Sequence, residues 1–414
     1  MLSGYYKRTD CRLCGSAALE CVLKLTPTPP ANAMVAETEK DKAQDVYPLD
    51  VYRCADCGHL QLLDIVDPNV LFKHYLYVSS TSQVMVNYLE EQCAAIVRRL
   101  GLKSGDLIVE IGSNDGTLLR FFKGLGMRVV GVDPAANLAP DSADIETITD
   151  FFSESVGQRI REKYGAAKAI CAYNVCAHID DLRSVIAGVR VLLAPEGQFV
   201  FEVGYLLDVL RKTLFDTIYH EHVDFHHVEP LKRFFSDNGL RLLHAERSDI
   251  QGGALVGYVG AADRQEDQSV DELISLEHAA GIHRSDTFRQ WGQMIGQRGM
   301  ELMLLLRGLK AKGKSIAAYG ATAKATTLMY HFGLDGSILD FIVDDNELKQ
   351  GLYTPGLHIP VYAPDLLYVK RPDYVLVLAW NFAESIVKKH KHFAGDHSRF
   401  IIPLPNLVLI GAEG

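Results

Sequence analysis

The stretch Leu107-Ile-Val-Glu110-Ile-Gly112-Ser-Asn114-Asp-Gly116 decides the fold. An apolar strand runs into a glycine-rich turn, and the residues after Gly116 have helical spacing. Glycine at such a turn lets a ligand approach the backbone, and the helix that follows offers unpaired N–H groups. About 20 residues beyond the turn, the strand Val129–Val132 ends at Asp133, the position from which an acidic side chain reaches ribose hydroxyls. A dinucleotide site shares these features. Against it, Gly112 and Gly116 are out of G-x-G-x-x-G register, and Glu110 would repel a pyrophosphate. A carboxylate before the turn suits a cationic sulfonium instead, so the favoured cofactor is S-adenosylmethionine. The competing account is a turn kept only for packing.

Further strand-like segments follow at Ala169–Tyr173 and Gln198–Val203, separated by helical stretches that begin with 82–100, as in a parallel doubly wound sheet. Leu240–Ala245 and Ala254–Val259 then come close together with no long helix between them. Parallel strands ending in an antiparallel pair are the arrangement of class I methyltransferases. Asp150 and Phe151 fall where the third strand should end, placed for the adenine amino group and ring. Asn174, past the fourth strand, is expected at the crevice.

N-terminal to this unit stand two C-x-x-C pairs, Cys11/Cys14 and Cys54/Cys57, each followed by glycine. Two such knuckles imply one tetrahedral zinc, and four thiolates leave it no open position, so the metal is expected to be structural. The segment between the knuckles, residues 15–53, is longer than in common zinc ribbons. Cys21, Cys93, Cys171 and Cys176 lack that spacing and are expected to be small buried hydrophobes. C-terminal to it, a second α/β unit begins at Ser315–Tyr319. It continues through the Gly320-Ala-Thr-Ala-Lys324 turn, a strand Ile338–Val343, and strands near Tyr374–Ala379 and Phe400–Ile402. The expected division is a zinc-binding module (1–68), a methyltransferase domain (69–262), a helical connection (263–312) and a Rossmann-like C-terminal domain (313–414).

The 414 residues are 48% hydrophobic and 23% charged, enough for several cores. A formal net charge of -10 argues against a nucleic-acid surface, which needs a basic patch. No apolar run spans a bilayer, and the N-terminus lacks the apolar core of a signal peptide, so neither a membrane nor a secretory role is expected. The expected compartment is the cytoplasm, where thiols stay reduced.

Asp216-Thr-Ile-Tyr219-His220-Glu221-His222-Val-Asp224-Phe225-His226-His227 packs four histidines, three carboxylates and a tyrosine into twelve residues. Its spacing fits no common zinc helix. It follows the fifth strand, and loops at that end of the sheet line the crevice. Methyl transfer to carbon requires removal of a proton beside a carbonyl, which histidine titrating near neutrality can perform. Methyl transfer to oxygen or nitrogen of a small metabolite uses similar groups, and a non-catalytic cofactor-binding protein is a further alternative.

The cysteine pairs, Glu110–Gly116, Asn174-Val-Cys-Ala-His178 and Tyr219-His-Glu-His222 occur in this order in a known family. Over nearly its whole length the chain resembles the nucleotide-sugar C-methyltransferases that build branched deoxysugars. The resemblance implies a nucleotide-linked substrate, typically a dTDP-4-keto-6-deoxy sugar methylated at C3, bound between the methyltransferase and C-terminal domains. It implies His222 as the base, with Tyr219 and Glu221 holding the sugar and His222, and with His178 near the C4 oxygen. It also implies a site tyrosine after the zinc module, either Tyr75 or Tyr77. Lys324 is open between a substrate phosphate and solvent.

Overall fold

A computed structural model describes residues 4–72, 78–138, 144–393 and 398–411. Its central element is a seven-stranded sheet in the order Leu240–Ser248, Ala254–Ala261, Leu193–Gly204, Ala167–Tyr173, Leu107–Ile111, Arg128–Val132, Thr147–Ile148. Ala254–Ala261 runs antiparallel to both its neighbours, and the five strands from Leu193–Gly204 to Thr147–Ile148 are mutually parallel. This is the class I methyltransferase sheet. Leu107–Ile111 is buried at every position, as a strand covered by helices on both faces must be.

Parallel strands put their carboxyl ends on one edge, so Ile111, Val132, Tyr173 and Gly204 deliver the loops after them to a common crevice. The helix expected from Ser82 starts at Gln83, because the Ser82 hydroxyl caps it by accepting from the Met85 amide. The fifth strand begins at Leu193 rather than Gln198, with an irregularity in register between those residues.

Among the described residues three smaller sheets accompany this one, the smallest being the antiparallel pair Tyr5–Lys7 and Asp64–Val66. The N-terminal sheet runs Asp224–Phe225, Leu60–Leu62, Val51–Cys54, Leu19–Leu23, all antiparallel. Its edge strand therefore comes from the histidine-rich run, far along the chain. The C-terminal sheet has six strands in the order Val361–Tyr362, Ile342–Val343, Ile316–Tyr319, Tyr374–Val377, Arg399–Ile402, Val408–Ile410, with only the last antiparallel. The strand expected over Ile338–Val343 shortens to Ile342–Val343. Ile338 and Leu339 instead donate their amides to the Asp335 carbonyl, forming a turn.

Helices Gln268–Ala279 and Ser285–Ala311 connect the two larger sheets. Among the described residues no helix is long and apolar enough to cross a membrane.

The long segment between the cysteine knuckles spans a gap. Val35 bridges Tyr353, the Thr326 hydroxyl donates to the Ala31 carbonyl at 3.0 Å, and the Gly356 amide donates to Gln44 at 2.6 Å. The N-terminal sheet thus carries a loop that lies against the C-terminal unit.

Candidate active site

Gly112 sits in the left-handed region at φ 69°, and a Cβ there would stand 2.3 Å from Val175 Cγ2, so only glycine serves. Gly116, at φ 81°, caps the helix Thr117–Gly124. Asp133 was expected to meet ribose hydroxyls. In the structure its two oxygens accept the Asn114 and Ala135 amides, each at 2.8 Å, so it also fixes the turn. One lone pair on each oxygen stays available for a ligand.

Glu110 is 4% exposed, and its Oε2 has no hydrogen-bond partner among the described residues. Burial first, then Asp133 and Asp115, pushes its carboxyl well above the usual carboxylate range. A buried, unpaired carboxyl facing a crevice gains from a cation, which is the fit expected of a sulfonium or amino group. Ser79 and Ser80 donate their amides to the side chains of Asn114 and Asp115 at 3.0 and 3.1 Å, closing one side of the crevice.

Glu110, Gly112, Asn114 and Asn174 line this crevice together. Asn174, held at φ 56°, donates to Glu202 at 2.8 Å, and the Tyr88 hydroxyl donates to the other Glu202 oxygen. Burial raises the Glu202 carboxyl to about 7. Neither Glu202 nor Tyr88 was anticipated, although a glutamate within Phe199-Val-Phe-Glu202-Val is a visible anomaly in an apolar run. Asp150 and Phe151 are not among the residues that line the pocket with Glu110 and Asn174. Phe151 is exposed, Asp150 is half-buried and pairs with Arg159 at 2.9 Å, and the buried ring is Phe152. Replacing Asp133 by alanine is expected to weaken S-adenosylmethionine binding by about 1.5–3 kcal/mol, the scale of a lost hydrogen bond to a charged group. Calorimetry that finds unchanged affinity removes Asp133 from the site.

The four sulfurs of Cys11, Cys14, Cys54 and Cys57 lie within 4.8 Å of one another, with Cys11–Cys57 at 3.6 Å and Cys14–Cys54 at 3.5 Å. Thiolates about 2.3 Å from a tetrahedral zinc sit about 3.8 Å apart, so the set fits zinc and fills its coordination. Gly15 and Gly58 are both left-handed, letting each knuckle turn back on its sulfur. Cys93, Cys171 and Cys176 are buried as expected, whereas Cys21 is half-buried.

The histidine-rich run divides in two. His222 donates from Nδ1 to the Thr217 carbonyl at 2.6 Å, and the Tyr219 hydroxyl lies 3.1 Å from its Nε2. A carbonyl only accepts, so Nδ1 carries the proton and Nε2 is the basic nitrogen. Burial, opposed by Thr217 and reinforced by Lys324, lowers His222 to about 4 and keeps the ring neutral. The Tyr219 and His178 rings stand 4.1 and 4.9 Å from it, and burial holds His178 well below the usual range.

Glu221 was expected to orient His222, but its Oε1 accepts from Asn32 at 2.7 Å, and the Thr217 carbonyl takes the orienting place. The other half of the run serves the N-terminal sheet. His220 meets the Tyr47 and Pro48 carbonyls, while Asp224 accepts from His59 at 2.5 Å and from Arg12 at 3.3 Å. Tyr75 and Tyr77 lie outside the described residues.

The C-terminal unit completes the site. The Thr327 hydroxyl donates to the Ile218 carbonyl at 2.7 Å, which brings the first turn of helix Ala323–Phe332 against 215–218. Lys324, on the same helix face, lies beside Asp216. Burial lowers its ammonium and the Asp216 charge opposes that shift. Asp216 accepts from the Trp380 indole at 2.6 Å and is raised to about 6 by burial. Trp380 and Asn32 carry no short-range sequence motif that marks them, whereas Asp216 and Thr217 open the histidine-rich run.

Residues 85–245 match the family model described as "Methyltransferase domain", residues 249–405 "C-methyltransferase C-terminal domain" and residues 11–72 "Putative zinc binding domain". The C-methyltransferase NovU of Streptomyces niveus is 37% identical over 408 residues, covering 98% of this chain and 97% of that protein. Among solved structures, magnesium protoporphyrin IX methyltransferase from Synechocystis aligns with 44% of this chain and 88% of its own, at 13% identity and a TM-score of 0.34. An S-adenosylmethionine-dependent methyltransferase from Anabaena variabilis aligns with 46% of this chain and 97% of its own, at 14% identity and a TM-score of 0.33.

Proposed function

The chain belongs to the S-adenosylmethionine-dependent C-methyltransferases, and from that membership we propose that it methylates C3 of a nucleotide-linked 4-keto-6-deoxy sugar, a dTDP-sugar in the favoured case. The observation that carries the proposal is the His222 imidazole. It is neutral, fixed by the Thr217 carbonyl in the tautomer that leaves Nε2 basic, and next to groups able to hold a polar substrate.

Transfer to carbon needs a nucleophilic carbon, and a ketone at C4 acidifies the C3 hydrogen. His222 Nε2 takes that proton while the C–H electron pair moves into the C3–C4 bond and charge collects on the C4 oxygen. His178, a neutral ring, and the Lys324 ammonium are the groups proposed to face that oxygen, where a preformed hydrogen-bond donor and a positive charge are worth most. Tyr219 holds His222 and a sugar hydroxyl, and Glu221 takes another hydroxyl. S-adenosylmethionine, when bound beside Glu110, supplies the methyl group as an electrophile. The substrate lies in the cleft between the methyltransferase domain (69–262) and the C-terminal domain (313–414), with Lys324 on the C-terminal side beside Asp216.

Incubation with S-adenosylmethionine and a panel of nucleotide-linked 4-keto-6-deoxy sugars is expected to give a C-methylated sugar in at least one case. Turnover of a small metabolite by O- or N-methylation, with none of the sugars accepted, overturns the substrate class.

A further inference from the structure

Glu221 is 3% exposed and lies where three parts of the chain meet. Its Oε1 accepts from Asn32 Nδ2 at 2.7 Å. Asn32 belongs to the segment between the cysteine knuckles, and its neighbours are pinned on both sides. The Ala31 carbonyl accepts from Thr326 of the C-terminal unit at 3.0 Å, and the Ala33 carbonyl accepts from Gln44 at 2.9 Å. Two residues on, Val35 pairs with Tyr353. From the C-terminal side, Lys349 is anchored by donating to the Ala321 carbonyl at 2.9 Å, with its charge near both Asp344 and Glu221. Among the described residues no hydrogen bond reaches Oε2 of Glu221.

We propose that Asn32 is a positioning residue: the inter-knuckle segment delivers its amide to Glu221, commits one carboxyl oxygen, and leaves the other aimed at the sugar. This rests on the reading of Glu221 as a sugar-binding group. It gives the unusual length of the segment a purpose, because a ribbon with a short insert would not reach the C-terminal unit. Burial raises the Glu221 carboxyl to about 7, and Asn32 and then Lys349 pull it back down by favouring the anion. The neighbouring imidazoles of His220 and His222 are both lowered to about 4, so near neutrality the charges facing Glu221 reduce to the Lys349 ammonium. An amide fixes a carboxylate without neutralising it, whereas a lysine at position 32 would compete with the substrate for the charge.

The test uses the zinc-loaded full chain as wild type, Asn32→Ala and Asn32→Gln, with Glu221→Gln to assign the signal. Glutamate labelled with 13C at the carboxyl reports the Glu221 titration with no substrate present. The wild-type midpoint is expected near 7 and that of Asn32→Ala about one pH unit higher, the size of a lost hydrogen bond to the anion, with partial return in Asn32→Gln. With the sugar, kcat/KM rises with pH through the same midpoint, and Asn32→Ala moves that limb upward and costs about fivefold at pH 7. Zinc content and S-adenosylmethionine affinity stay unchanged. An unmoved Glu221 midpoint, or a rate loss that tracks loss of zinc or of cofactor affinity, overturns the role of Asn32. Failure of the wild type to accept any 4-keto sugar overturns the substrate reading instead, and the titration still decides Asn32.

Discussion

Replacing His222 by asparagine is expected to leave S-adenosylmethionine and the sugar bound while slowing turnover by about 10²–10⁴-fold, the usual worth of a positioned general base. Asparagine keeps a hydrogen-bonding side chain in the place between Thr217 and Tyr219 but cannot take a proton at neutral pH. The loss therefore falls on kcat, with KM little changed. The pH profile carries a second signature. With His222 lowered to about 4, its free-base form fills as pH rises through that value and is complete from about pH 5 upward. The limb owed to this residue thus lies far below neutrality, and His222→Asn abolishes it. A near-normal rate in the variant removes His222 as base and moves the role to Tyr219 or His178. His220 is a poor substitute, since its Nε2 is already spent on the Tyr47 and Pro48 carbonyls.

The second large effect concerns zinc. Cys54 is fully buried, and its strand, Val51–Cys54, pairs with Leu60–Leu62, which in turn pairs with Asp224–Phe225. Asp224 lies two residues past the proposed base, so the metal steadies the histidine-rich run through one continuous ladder. Structural zinc contributes on the order of 10 kcal/mol in small domains, where binding free energy is folding free energy. Cys54→Ser is expected to lower the folded yield sharply, and whatever soluble protein remains is expected to contain little zinc and to turn over poorly. Metal analysis of wild type should give about one zinc per chain. A metal-free wild-type preparation that is folded and fully active contradicts this account of the four cysteines.

The parts of the site readable from sequence are those coded by local pattern. Glu110, Gly112, Gly116 and Asp133 announce themselves because a strand, a turn and a helix impose fixed residue types within a short span. The paired cysteines do so because tetrahedral coordination fixes their spacing. Residues joined only by tertiary contact leave no such trace. Thr217 orients His222 through its main-chain carbonyl, which every residue possesses. Asn32 meets Glu221 across 189 positions of the chain, and Asp224–Phe225 complete a sheet whose other strands end at residue 62. Asp150 and Phe151 follow the third strand as expected, with Asp150 half-buried and paired with Arg159, Phe151 exposed, and Phe152 in the buried position. Glu202 was the readable exception that went unread, a carboxylate in an apolar strand that had to have partners once buried.

The measurement that bears most directly on the central claim uses a nucleotide-linked 4-keto-6-deoxy sugar carrying deuterium at C3, incubated with the zinc-loaded enzyme and S-adenosylmethionine. Only transfer to C3 must break that bond. Mass spectrometry of the methylated product is expected to show complete loss of the label, with the new methyl group assigned to C3 by NMR. A methylated product that retains the deuterium and carries its methyl group on oxygen contradicts the account.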